Sequence, residues 1–316
     1  MKRVLVLYFS QTGQLRDIVR STIAPLEASA DIDVTLVELK PPTPYPFPWN
    51  FFRFFNTFPE TVYEDVEPFE PPELVDAEPF DLVILSYQVW FLSPSLPTTA
   101  FLKSETAKRL LAGRPVITLI GCRNMWLMAQ ERVKVVLAGL GARLIDNIVL
   151  DDTVHSAFTF VSTPLWMLTG NKGPFLFGLI PKAGVSPEDV AACVRFGRAI
   201  AEQLPERAPE SDAPMLRGLG AVSIHEGLIE SEKTTKRSFR LWGAFLRAMG
   251  KPDSPQRQIL ILVYFAFLAT LVIFVMPVLA AIKMILKPFA RKRIAQQREY
   301  FAEPSGESTQ LLERVV

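Results

Sequence analysis

The sequence predicts an α/β fold: a doubly wound, five-stranded parallel sheet with helices on both faces, followed by a membrane-associated helical segment. Three observations carry this. Strand-length runs rich in Val, Ile and Leu alternate with helical spacing through the first two-thirds of the 316 residues. Such runs suit strands buried on both faces, and the crossover rule then winds helices on each side. The stretch "YFSQTGQL", residues 8–15, leads from a strand through a small polar loop into a helix. Finally, residues 259–282 carry no charge. As a helix that run is about 36 Å long at ~1.5 Å per residue, enough to cross a hydrocarbon core of ~30 Å with some tilt.

The expected strands are residues 3–9, 33–39, 80–87, 114–121 and 142–150. Helices are expected over 14–29, 98–112 and 126–140. A last helix begins at Ser186, an N-cap residue followed by Pro187 and, three residues on, Asp189. This domain occupies residues 1–204 and carries two apolar inserts, 41–73 and 155–184. Prolines in the first insert argue against a long regular element. Each insert either packs as core or forms an apolar lid, or a surface for lipid or a greasy ligand.

Residues 205–235 read as a linker, Pro-rich at 205–215. In 236–251, Phe239, Trp242, Phe245, Leu246 and Met249 share one helical face, with Arg237, Arg240 and Arg247 largely elsewhere. That is the pattern of an interfacial helix on anionic lipid. Residues 259–282 then form a transmembrane or re-entrant segment, and 283–316 a basic, then polar, tail. Basic residues flank the apolar run on both sides, and a single span cannot keep both flanks on the cytoplasmic face. Pro277 offers a break for a re-entrant or monotopic path. The expected location is a membrane anchor with the α/β domain on the cytoplasmic face.

A net charge of +1 gives no argument for nucleic acid. Two cysteines make no disulfide framework, and with two histidines at unrelated spacings they make no metal site. The loop after the first strand sits where doubly wound sheets bind ligands. Backbone amides at a helix N-terminus hold anions; Ser10 and Thr12 add hydroxyls, and Gly13 permits close approach. Without the Walker lysine or spaced glycines, the loop suits a terminal monophosphate.

Here the sequence resembles the flavodoxin-like family, whose first loop reads roughly Ser/Thr-x-Thr-Gly-x-Thr and holds the phosphate of FMN. The loop "SQTGQL" departs at its last position, where Leu15 stands for Thr. A second region, "SYQVWFLSPSLPTTAFL" (86–102), resembles the flavin loop of flavodoxin-like quinone reductases, and "GCRNMWLMAQE" (121–131) stands at the third contact loop. The resemblance spans residues 1 to about 204 apart from the inserts. It implies a strand order of 2-1-3-4-5. It implies FMN held by Ser10, Gln11, Thr12, Gly13, Gln14 and Leu15, by Tyr87, Gln88, Val89, Trp90, Phe91 and Leu92, and by Gly121, Cys122, Arg123 and Asn124. NAD(P)H is the implied electron donor.

The pairing of "LYFSQTGQL" with "GCRNMW" and an apolar C-terminal anchor is similar to the dialkylresorcinol-condensing enzyme group of this fold. That resemblance implies a ketosynthase partner and a ring-forming or aromatising step on long-chain β-keto intermediates. From the residues themselves, Arg123 holds an enolate or carboxylate or is a structural cation; Cys122 is a nucleophile or a buried small residue at a strand end; and His155, at the end of the fifth strand, is a general base or a capping residue. The alternative is a membrane-bound FMN electron carrier, or a non-catalytic scaffold for a partner enzyme. A further alternative keeps the fold and loses the flavin.

Overall fold

A computed structural model describes residues 1–152 and 156–312. Five parallel strands, β1 (Lys2–Tyr8), β2 (Ile32–Glu38), β3 (Leu82–Trp90), β5 (Pro115–Gly121) and β6 (Arg143–Leu150), form the sheet. Their spatial order is β2-β1-β3-β5-β6. The two residues of β4 (Ser93–Pro94) pair antiparallel with the end of β3. Apart from that short hairpin, the order is the 2-1-3-4-5 of flavodoxin-like sheets.

Alternation along each strand divides the core. Leu5, Leu7, Val83 and Leu85 pack with α3 (Leu96–Leu102), α4 (Glu105–Leu111) and α5 (Leu127–Gly139) on one face. Val4, Val6, Leu82 and Ile84 pack with α1 (Gln14–Glu27) and α8 (Val194–Gln203) on the other. The short α7 (Pro187–Ala192) precedes α8, and its Ser186 cap accepts the Asp189 amide at 3.0 Å.

The first insert departs from expectation. It contains a 13-residue helix, α2 (Phe51–Tyr63), with Pro59 inside it. Asn50 caps it, its carboxamide oxygen accepting the Phe52 and Arg53 amides. Proline removes one bond, to the Phe55 carbonyl, and opens the turn. Into that turn reaches Arg257, which donates to the Asn56 carbonyl at 2.7 Å. Tertiary packing of five phenylalanines outweighs the local penalty.

Residues 205–235 are not a linker. Met215, Leu216, Leu219, Ala221 and Val222 are buried. They cover β6, an edge strand whose unpaired groups need partners: the Val149 amide donates to the Ala221 carbonyl at 2.8 Å. The following helix starts earlier than expected, so α9 runs over Glu226–Ala248. Its Phe239 and Trp242 pack inward on α2 and α10 (Pro255–Thr270), and Leu246 is fully buried. Leu241, Phe245 and Met249 are left exposed.

The apolar run packs on the protein at its start. After α10, a π-turn (Leu271–Val275) leads into α11 (Met276–Ala302). Pro255–Val275 is, among the described residues, the one stretch long and apolar enough to cross a membrane. Yet Ile261 and Tyr264 are buried against the protein. The tail returns to the sheet. Ser305 Oγ accepts the Asn147 amide and donates to Asp146, at 2.7 and 2.8 Å. Asp146 follows a bulge at Ile145 in β6 and also accepts the Met215 and Leu216 amides. One buried carboxylate thus joins β6, the edge cover and the returning tail.

Candidate functional site

Loops from the carboxyl ends of β1, β3, β5 and β6 meet beside the β1/β3 switch point. In the first loop Gly13 has φ 85°, a left-handed conformation that glycine adopts without strain. Ser10 Oγ accepts the Arg16 amide at 3.2 Å, and Thr12 Oγ1 accepts the Gln14 amide at 3.5 Å. The Thr12 and Gly13 amides have no protein acceptor among the described residues. Arg16 supplies a cation that the sequence motif does not show: its guanidinium lies 3.3 Å from where a Gly13 Cβ would stand.

Gln11 and Gln14 have structural partners instead. Gln11 donates to the Pro46 carbonyl at 2.7 Å, and Gln14 accepts the Val185 amide at 3.0 Å. Each insert is therefore tied to the loop. The inserts also meet each other: Trp49 N donates to the Met167 carbonyl, in the last turn of α6 (Ser156–Thr169), at 2.8 Å, and Phe47 packs on Trp166. Together they roof the loop.

Leu15 is buried and faces β5, 3.0 Å from where a Gly121 Cβ would stand. Its side chain belongs to the core, which is the physical reason that an apolar residue suits this position. Tyr87 is also a core residue. Its hydroxyl donates to Gln130 Oε1 at 2.6 Å, continuing through Thr118 to Asn147, and burial pushes its pKa well above the ordinary value. Gln88 Oε1 is buried with no donor among the described residues. Val89 pairs with Pro94 in the hairpin.

Trp90 stands in an aromatic cluster. Phe9, Tyr45 and Trp49 lie 5.8, 5.1 and 5.7 Å from its ring, all edge-on. Phe9 was placed by β1; Tyr45 and Trp49 come from the first insert. Phe91 and Leu92 turn away at φ 48° and 59°. Phe91 packs on Phe54, Phe58 and Phe239, so both residues support the hairpin.

In the third loop the Cys122 amide donates to the Leu150 carbonyl at 3.0 Å. Burial pushes the Cys122 thiol well up, which disfavours the thiolate a nucleophile needs. Burial lowers Arg123 to about 10, against the attraction of Asp152, so it stays cationic at neutral pH. Its Nε contacts Asn124 Oδ1 at 3.3 Å, and Asn124 is buried. His155 lies outside the described residues. No cluster of three or more metal-ligating side chains occurs among the described residues.

Three residues far along the chain reach the same edge, and no local sequence signal marks them. Glu232 of α9 is fully buried and accepts the Leu127 and Met128 amides, at 3.3 and 2.7 Å, capping α5. Lys236, one turn on, donates to the Leu92 carbonyl and Ser93 Oγ at 2.8 and 2.6 Å. His225 Nε2 meets Asp151 Oδ2 at 2.7 Å, a bond that raises the imidazole pKa.

Burial raises Glu232 to about 7 and Asp146 to about 6, against the hydrogen bonds each accepts. In both cases the native state holds protons that the unfolded chain releases. Their contribution to stability is therefore full below the unfolded values, near 4, and is lost as pH rises through 6 to 7. For Glu232 the loss is on the order of 2–3 kcal/mol. Denaturant unfolding at pH 4.5–7.5 is expected to show this decline, and Glu232→Gln is expected to reduce it to the part that Asp146 contributes.

No family model matches this chain, and no curated protein matches it. Solved structures of related shape include three flavoproteins or reductases. A flavoprotein from Lactobacillus acidophilus NCFM, solved in complex with FMN, aligns at 14% identity and a TM-score of 0.35, over 46% of this chain and 92% of its own. A flavodoxin from the domain Archaea aligns at 12% identity and a TM-score of 0.36, over 65% and 99%. A flavone reductase aligns at 13% identity and a TM-score of 0.34, over 84% and 97%. At these identities and scores, the reading of the site stands on the chain's own residues.

Proposed function

We propose that this chain is an FMN-binding oxidoreductase that acts on an apolar substrate at a membrane surface. The observation that carries the proposal is the first loop: open Thr12 and Gly13 amides, a left-handed Gly13 and the Arg16 guanidinium, all at the switch point. Those groups fit a phosphate monoester. At the end of β3, the Gln88 acceptor, without a donor among the described residues, and the Trp90 ring suit the polar edge and the face of a flat heterocycle. FMN would supply two-electron transfer, with NAD(P)H as the reductant class. The chain's own part is to hold the phosphate, to flank the ring with aromatic side chains and exclude water, and to offer Arg123 to an enolate or carboxylate.

The narrower reading is an aromatising step on a long-chain β-keto intermediate handed over by a ketosynthase. It rests on the resemblance of "LYFSQTGQL" and "GCRNMW", and on the exposed apolar surface of α10.

The test is the absorption spectrum of protein purified in mild detergent, with the released chromophore identified by mass. Bound FMN near one equivalent is expected. Arg16→Glu is expected to weaken FMN retention tenfold or more at an unchanged unfolding temperature; Gly13→Val is expected to weaken it as far while also lowering the unfolding temperature, because a β-branched residue is strained at φ 85°. A wild-type chain that neither carries nor binds added FMN overturns the redox reading. One observation favours a second reading, a flavin-free scaffold: Tyr45 and Trp49 occupy the crevice around Trp90. On that reading the wild type stays colourless, and Trp49→Ala gains FMN binding.

A further inference from the structure

The apolar segment is tied to the α/β body at both ends. At its start Arg257, 1% exposed, forms a two-point ion pair with Glu60 of α2, at 2.8 and 2.6 Å. Tyr264 stacks on Phe58 at 4.9 Å, and Phe267 still touches Trp242 at 5.0 Å. At its far end Arg293 and Gln297 meet Glu230 of α9, at 3.1 and 2.9 Å. Tyr300 then donates to Glu131 at 2.8 Å, and Ser305 joins β6.

A single crossing would leave these two ends on opposite sides of the bilayer. Two crossings need about 40 helical residues. Only residues 268–292 separate the anchors. At ~1.5 Å per residue they make roughly 37 Å of helix, one crossing and no return.

The outward faces of both α9 and the arm are apolar. Leu241 and Phe245 of α9 are 65% and 62% exposed, and Ile259, Val263, Phe274 and Val278 of the α10–α11 arm are exposed as well. The charge along the arm itself has one sign. Residues 254–298 contain no carboxylate, while Lys283, Lys287, Arg291 and Lys292 follow the apolar run. Arg237, Arg240 and Lys251 precede it. An apolar strip bordered by cations on both flanks complements an anionic headgroup layer over acyl chains.

We infer that the α9–α10–α11 face lies in the plane of one leaflet of an anionic bilayer, with both flanks on the side of the α/β domain. This rests on the membrane part of the proposed function and not on FMN. It also removes the conflict in flanking charge, because both basic flanks then face the same headgroups.

The test uses the full chain, diluted from mild detergent onto preformed phosphatidylcholine vesicles with or without phosphatidylglycerol. Cys122 and Cys193 are replaced by alanine, and Gln256→Cys or Ala295→Cys, both at exposed positions, gives a single reporter on each flank. Flotation is expected to be at least tenfold greater with phosphatidylglycerol. A membrane-impermeant maleimide is expected to label both reporters fully from outside. Phe245→Glu with Val263→Glu is expected to lower flotation tenfold at an unchanged unfolding temperature. Protection of one reporter until the vesicles are lysed overturns the in-plane placement and leaves membrane attachment standing. No flotation on either vesicle, with a dimer by light scattering, overturns membrane attachment itself. FMN content, measured on the chain with both native cysteines, reports separately on the redox reading.

Discussion

Glu60→Ala is expected to destabilise the protein by about 3–5 kcal/mol and to loosen α10 from α2. The guanidinium of Arg257 is almost wholly buried, and among the described residues Glu60 is its one anionic partner. Removing the carboxylate leaves a desolvated cation with only carbonyl oxygens for company. The penalty is mostly that stranded charge, not the net worth of the pair. Arg257→Met with Glu60→Leu removes both charges at similar volume and is therefore expected to recover most of the loss. Denaturant unfolding of the single and double variants measures it. Recovery no better than additive would mean that the pair matters for its geometry at the Asn56 carbonyl.

Gly197→Ala is expected to cost about 2–3 kcal/mol, although alanine is the better helix former. Gly197 lies in α8 where that helix meets α1. An added Cβ would run into the Thr22 carbonyl oxygen and approach Pro25 Cδ to 2.8 Å. Pro25 sits inside α1, so backbone and a rigid ring receive the new methyl, and neither can step aside. Gly139→Ala is the contrasting case. Nothing lies within 4 Å of its added Cβ, in the last turn of α5. There the helix-propensity gain of about 0.5–1 kcal/mol has no steric opponent, so this variant is expected to stabilise. Opposite signs from the same substitution would locate the difference in packing; equal signs would place it in the unfolded chain.

The sheet was legible because its strands are buried on both faces, and burial on both faces writes itself as unbroken Val, Ile and Leu. The first loop was legible because strand, glycine and helix are neighbours in sequence. The side chains of Leu15 and Tyr87 turn into the core rather than toward the loop edge, for a shared reason. A motif fixes where the backbone runs, while the side chain's direction depends on the face opposite. Leu15 meets β5, and Tyr87 meets Gln130 of α5. Tyr45 and Trp49 were visible only as odd aromatics in a proline-rich insert. Glu232 and Lys236 could not be read at all. Each contacts a loop more than 100 residues away, and only the docking of α9 across the sheet edge brings them there. The supposed linker was misread because its prolines were visible and its burial partner, the edge of β6, was not.

The Asp146–Ser305 contact has a consequence for biosynthesis. Its partners are 159 residues apart, and the apolar arm lies between them in sequence. A ribosome makes the chain in order, so the arm emerges before the residue that completes the hydrogen bonding of Asp146. During that interval β6 carries a buried carboxylate lacking one donor, while the arm's greasy face is already outside. Long-range closure of this kind is slow and exposes intermediates to aggregation. Early capture of the arm by a lipid surface would shield it, and would hold the two ends close while the sheet is finished.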